Sequence, residues 1–113
     1  MTRVYVPGTI EGLRRWVADG LIPADAFEEG FEAPDDTEEG EYAALMSAAD
    51  ASAALLGAGS GRRVVVVVDT DVAPADWGDV VAVHADLRDR PAGADPDEDL
   101  GWFATQEVPD LLG

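Results

Sequence analysis

No cysteine occurs in this chain, so neither a disulfide framework nor a thiolate metal site is available to it. Lysine is absent as well; all seven bases are arginine. That excludes a phosphate-binding loop closing in Gly-Lys-Ser/Thr, and Gly57-Ala58-Gly59-Ser60-Gly61 precedes an apolar run where a P-loop would follow one. Histidine occurs once, at His84, with no Ser or Cys nucleophile motif to accompany it. Apolar runs are short: none reaches the length of a membrane span, and Met1-Thr2-Arg3-Val4-Tyr5-Val6 reads as a strand rather than a signal peptide. A cytoplasmic protein is expected, with no membrane contact and no cofactor.

Acid is what the chain has in excess. Twenty-four Asp and Glu face the seven arginines, a formal net charge of −17 over 113 residues. Such a surface repels nucleic acid and anionic lipid, so direct binding to either is disfavoured and a basic protein surface is the expected partner. The charge is uneven. Residues 16–61 hold eleven acids and no base, whereas residues 1–15 hold one acid and three bases. Solubility, compositional bias or salt adaptation is the bland alternative. With 47% hydrophobic residues the chain can fill one core, and a single α+β domain spanning 1–113 is expected.

Periodicity divides the chain into a few elements. Arg3 to Val6 is a short strand ended by Pro7-Gly8. Thr9 caps a helix over 10–19 that Gly20 stops, with Ile10, Leu13 and Val17 on one face. Residues 21–36 read as a loop pinned by Phe27 and Phe31, with at most a short strand around Phe31. Thr37 caps a second helix over 38–56, whose pattern Tyr42, Leu45, Met46, Ala49, Ala53 and Leu56 marks its buried face. The run 62–69, with five consecutive valines, is a central strand buried on both faces. Residues 70–79 form a turn region. A strand over 80–87 places Val81, Val83, Ala85 and Leu87 on one side and Val80, Ala82, His84 and Asp86 on the other. Asp95-Pro96-Asp97-Glu98 has the composition of a helix start, predicting a third helix over 96–108 that ends before Pro109. The expected architecture is a three- or four-stranded mixed sheet packed by three helices.

The blocks Arg3-Val4-Tyr5-Val6-Pro7, Glu41-Tyr42-Ala43-Ala44-Leu45, Arg62-Arg63-Val64-Val65-Val66, Val81-Ala82-Val83-His84 and Trp102-Phe103-Ala104-Thr105-Gln106-Glu107-Val108-Pro109-Asp110-Leu111 occur in that order. Together the chain resembles a family of small actinobacterial proteins known only as a domain of unknown function. The resemblance spans nearly the whole chain and is most specific at its end. It implies an intracellular bacterial or phage protein and transfers no activity. Proline- and acid-rich sequence at 23–36 stands where the family pattern has an aromatic strand and a Trp-containing turn.

Three chemistries remain to be weighed. His84 is the sole candidate general base, oriented by Asp86 or a more distant acid; its alternative is a half-buried strand histidine. Asp69, Asp71 and Asp79 at strand ends are candidate ligands for Mg²⁺ or Ca²⁺, or simply solvated loop carboxylates. Asp95, Asp97 and Asp99 alternate as in a calcium loop, but the glycine falls one position late and no closing glutamate follows. Trp102, with Trp16 and Trp77 as possible companions, is either a docking edge or a core lid. The expected function is a non-catalytic interaction or regulatory protein that binds a basic partner through Glu28, Glu29, Glu32, Asp35, Asp36, Glu38, Glu39, Glu41 and Trp102. Its alternatives are a nucleic-acid mimic that uses the same acids, and a metal-assisted hydrolase built on the Asp cluster and His84.

Overall fold

The computed structural model describes residues 2–57, 61–91 and 93–113. Most of the expected glycine-rich connector, 58–60, and residue 92 of the following polar loop lie outside the described residues. The elements run β1 (Arg3–Gly8), α1 (Ile10–Asp19), β2 (Leu21–Ile22), a 3-10 helix (Ala24–Glu29), β3 (Phe31–Glu32), α2 (Glu38–Leu55) and β4 (Val64–Asp69). Then come β5 (Ala75–Asp76), a 3-10 turn (Trp77–Asp79), β6 (Val80–Ala85), β7 (Gly101–Phe103), a second 3-10 turn (Thr105–Glu107) and α3 (Val108–Leu112).

A strand apolar on both sides meets water on neither, so β4 dictates two cover layers. It lies third in a sheet ordered β3-β1-β4-β6-β7, with β2 and β5 paired separately. Val64, Val66 and Val68 face one core with Leu13 and Trp16 of α1 and Val108 and Leu111 of α3. Val65 and Val67 face the other, with Tyr5, Ala82 and Ala44, Ala48 and Ala49 of α2. Burying each valine is worth roughly 1.5–3 kcal/mol.

The class is α+β as expected, and the strand count is close, with five strands in the main sheet; every pairing among the described residues is antiparallel, which corrects the expected mixed sheet. β3, at Phe31–Glu32, is the short strand expected around Phe31; the unforeseen strand is β7, whose three residues are too few to leave a periodic trace. β1 also runs past its expected end. Pro7 and Gly8 pair with Val65 and Val64, while β3 reaches only Val4 and Tyr5. Pro7 thus has no neighbour on one side, where its missing donor costs no ladder bond.

Both helix caps form as expected: the Gly12 amide donates to Thr9 Oγ1 and the Gly40 amide to Thr37 Oγ1, each at 3.0 Å. Gly20 adopts the left-handed conformation, φ 68°, that ends α1. The buried face of α2 differs from the expected one. It is Gly40, Ala44, Ala48, Ala49 and Ser52, while Tyr42 is 49% exposed. Small side chains win because the sheet leaves room only for close approach.

In β6 the expected alternation breaks at a bulge. Val80 pairs with Val68 and Ala82 with Val67, so Val81 is the extra residue and is exposed. Val80 therefore joins Val83 and Ala85 in the first core.

The expected helix over 96–108 does not exist. Its start signal closes only a turn, with the Asp97 amide donating to Asp95 Oδ1 at 2.9 Å. Helix propagation needs the carbonyls of Pro96 and Glu98. Arg63 takes both, Nη1 to Pro96 O at 3.2 Å and Nη2 to Glu98 O at 2.8 Å. Residues 101–103 then pair with β6, and Pro109 lies in the first turn of α3 rather than beyond a helix end.

Arg63 is 1% exposed. Its Nε and Nη2 donate to Asp86 Oδ2 and Oδ1 at 3.0 and 2.8 Å, and its amide donates to Asp86 Oδ2 at 2.8 Å. With both partners enclosed, removing one leaves a buried charge unmatched. Asp86→Ala is expected to cost about 3–5 kcal/mol in urea unfolding, and the Arg63→Met/Asp86→Leu double variant to recover part of that. A single-variant cost below about 1 kcal/mol contradicts the enclosed pair.

Candidate functional site

The eight candidate acids come from one continuous base-free stretch, which passes through the edge strand β3. Glu28 and Glu29 close the 3-10 helix, Glu32 sits in edge strand β3, Asp35 and Asp36 form the turn, and Glu38, Glu39 and Glu41 open α2. The glutamates of α2 also suit the positive end of its dipole.

Two of the eight are committed within the fold. Asp35 Oδ1 accepts from the Thr37 amide at 3.0 Å and from the Thr37 hydroxyl. These bonds hold its carboxyl below the usual aspartate range. A Cβ at Gly40 would clash with Asp35 Oδ1, so a larger residue there would displace this carboxylate. Glu41 lies 3.6 Å from Arg3 Nη1. Glu28, Glu29, Glu32, Asp36, Glu38 and Glu39 are exposed and make no ion pair among the described residues.

Trp102 does not join them. It lies in β7, at the opposite edge, four strand spacings or about 19 Å from β3. It is 60% exposed, so it is not a core lid. Trp16 and Trp77 pack with the first core, on the sheet face opposite the one Trp102 shares with Val65 and His84. The three tryptophans form no common edge.

Asp69, Asp71 and Asp79 lie at the end of the sheet where β4 finishes and β6 begins. Asp69 is opposite Arg3 and accepts from its Nε at 2.8 Å and Nη2 at 3.0 Å; the guanidinium holds this carboxyl below its usual range. Asp71 Oδ1 accepts from the Thr2 amide at 2.9 Å. Among the described residues no three His, Asp or Glu side chains are placed to hold a metal ion.

His84 stands four residues along β6 from Val80, about 13 Å from that end, opposite Val65 and Trp102. The fold therefore does not bring it to the Asp cluster. Asp86 does not orient its ring: the carboxylate is bonded to Arg63 instead. His84 is half-buried, and burial alone pushes its pKa below the ordinary value.

The buried polar groups Arg63, Asp86 and Ser52 were missed by sequence reasoning, as was the bond from Tyr42 OH to Asp99 Oδ1 at 2.8 Å. That bond pushes the Tyr42 pKa up. The available signals were an arginine adjoining a buried strand, an acid just past a second strand, and one serine in an alanine-rich helix. No helix of the described residues is long and apolar enough to cross a membrane.

Folding favours the neutral His84 ring, so the related stability is complete above its ordinary pKa near 6.5 and is lost as pH falls through that value toward the folded one. Between about pH 8 and about pH 5 the urea midpoint of the native protein should drop further than that of His84→Gln. Equal drops in the two proteins remove this role.

A protein-family model described as a family of unknown function, DUF6912, matches residues 2–112. Neither a search of curated proteins nor one of solved structures found a match.

Proposed function

The chain belongs to this family of unknown function, and we propose that it is a non-catalytic, cytoplasmic interaction protein that binds a basic protein partner. The observation that carries this reading is a set of six exposed acids that make no ion pair among the described residues, all from a stretch of chain that contains no base and passes through edge strand β3. Carboxylates without internal partners keep their full field outside the molecule, where it steers cationic surfaces into contact. The candidates for chemistry support it from the other side. Asp69 is held by Arg3, Asp86 by Arg63, and His84 stands far from the Asp cluster.

Affinity capture from a native lysate, at about 0.05 M and about 0.5 M salt, tests the reading. Proteins with basic faces should be captured at low salt and released at high salt. The Glu32→Gln/Asp36→Asn/Glu38→Gln/Glu39→Gln variant should weaken that binding about tenfold, since each exposed charge contact is worth about 0.2–1 kcal/mol. Equal capture by native and variant protein, or none at either salt, overturns it. Release of the partner by competing duplex DNA identifies the mimic form of the same function.

A further inference from the structure

Beside the acidic edge lies a groove of about 560 Å³ between α1, the Ala24–Glu29 3-10 helix and the last turns of α2. This falls in the range of sites that enclose small ligands or anchoring side chains, about 300–1,000 Å³. Its floor is apolar and close to the backbone. A Cβ at Gly8 would stand 3.1 Å from Trp16 Cη2 and Cζ3, and one at Gly12 4.0 Å from Trp16 Cζ2. The indole is therefore seated on bare main chain. Two leucines wall the groove while remaining partly exposed, Leu21 at 37% and Leu55 at 56%.

Its polar rim is acidic. Asp19, Asp25 and Glu29 line it against a single base, Arg15, and none of the four makes an ion pair among the described residues. Glu29 belongs both to this rim and to the base-free acidic stretch, so the groove adjoins that stretch.

We propose that this groove is the anchor site for the basic partner: an apolar side chain of a Lys/Arg-rich segment enters over Trp16, between Leu21 and Leu55, while its flanking cations meet Asp19, Asp25 and Glu29. The inference rests on the acidic-edge reading and adds to it the chemistry of the occupant. Charge alone accepts any polycation; an apolar floor inside an acidic rim selects a cationic segment that also carries a large aliphatic residue. The aliphatic contribution does not depend on salt, whereas the edge contribution does.

The test uses two acetylated, amidated probes, Lys-Arg-Leu-Lys-Leu-Arg-Lys and its counterpart with both leucines replaced by serine. Each is titrated by NMR into the full ¹⁵N-labelled chain. The leucine probe should bind about tenfold more tightly, with shifts at the Trp16 indole, Gly8 and Gly12. Leu55→Ser, at an exposed position, should reduce that preference below about twofold while leaving the salt dependence of binding unchanged. Equal affinity for the two probes, with shifts confined to residues 32–41, overturns the groove and leaves the acidic edge standing. Absence of binding by either probe at low salt overturns both.

Discussion

The complete burial of β4 is the constraint from which the remainder of this structure follows. Its valines reject water on both faces, so every polar group near its mouth needs a partner from the protein. Two devices meet that demand. The Ser52 hydroxyl accepts from the Val64 amide at 2.8 Å and donates to the Gly8 carbonyl at 2.7 Å, tying α2 to both central strands. One residue upstream, Arg63 and Asp86 satisfy each other and recruit the carbonyls of Pro96 and Glu98. Arg90 adds Nε to Glu98 Oε2 at 3.2 Å and a bond to the Asp95 carbonyl. The described residues of the 86–100 connection thereby gather around one buried guanidinium. Among the described residues, no buried side-chain nitrogen or oxygen lacks a partner.

The same arrangement explains where the charge goes. Arg63 and Arg90 are buried or nearly so in their ion pairs, which withdraws cations from a surface already poor in them, and the exposed Arg3 is paired with Asp69. The acids of residues 25–41 receive little of that neutralisation, because the segment that carries them contains no base and, among the described residues, Glu41 is the one that pairs with an arginine, Arg3. An anionic border with an apolar recess beside it is the outcome. In contrast, the opposite border presents Trp102 on a three-residue strand and has a different chemical character.

Much of the architecture was legible in the sequence because it rests on strong local signals. The caps at Thr9 and Thr37, the glycine stop at Gly20 and the five-valine run each state their role within a few residues. Phe27 and Phe31 do pin the uncertain stretch, one against each core. What was illegible depended on distant partners. The 96–108 helix failed because Arg63, more than thirty residues away, takes its carbonyls. The β6 alternation failed because a bulge is set by its pairing with β4. Composition shows where the acids concentrate along the chain, but a linear pattern carries no sheet order, so it could not place Trp102 at the edge opposite Glu32.

The inner face of α2 has one further consequence. Gly40, Ala44, Ala48 and Ser52 recur every four residues, so successive turns present nearly the same small contour to the sheet. Four residues at a rise of about 1.5 Å carry that contour about 6 Å along the axis. Ser52 holds the one polar side chain among the buried residues of this helix. It acts as a detent: a single oxygen, bonded to two strands at once, fixes where along its axis the helix rests.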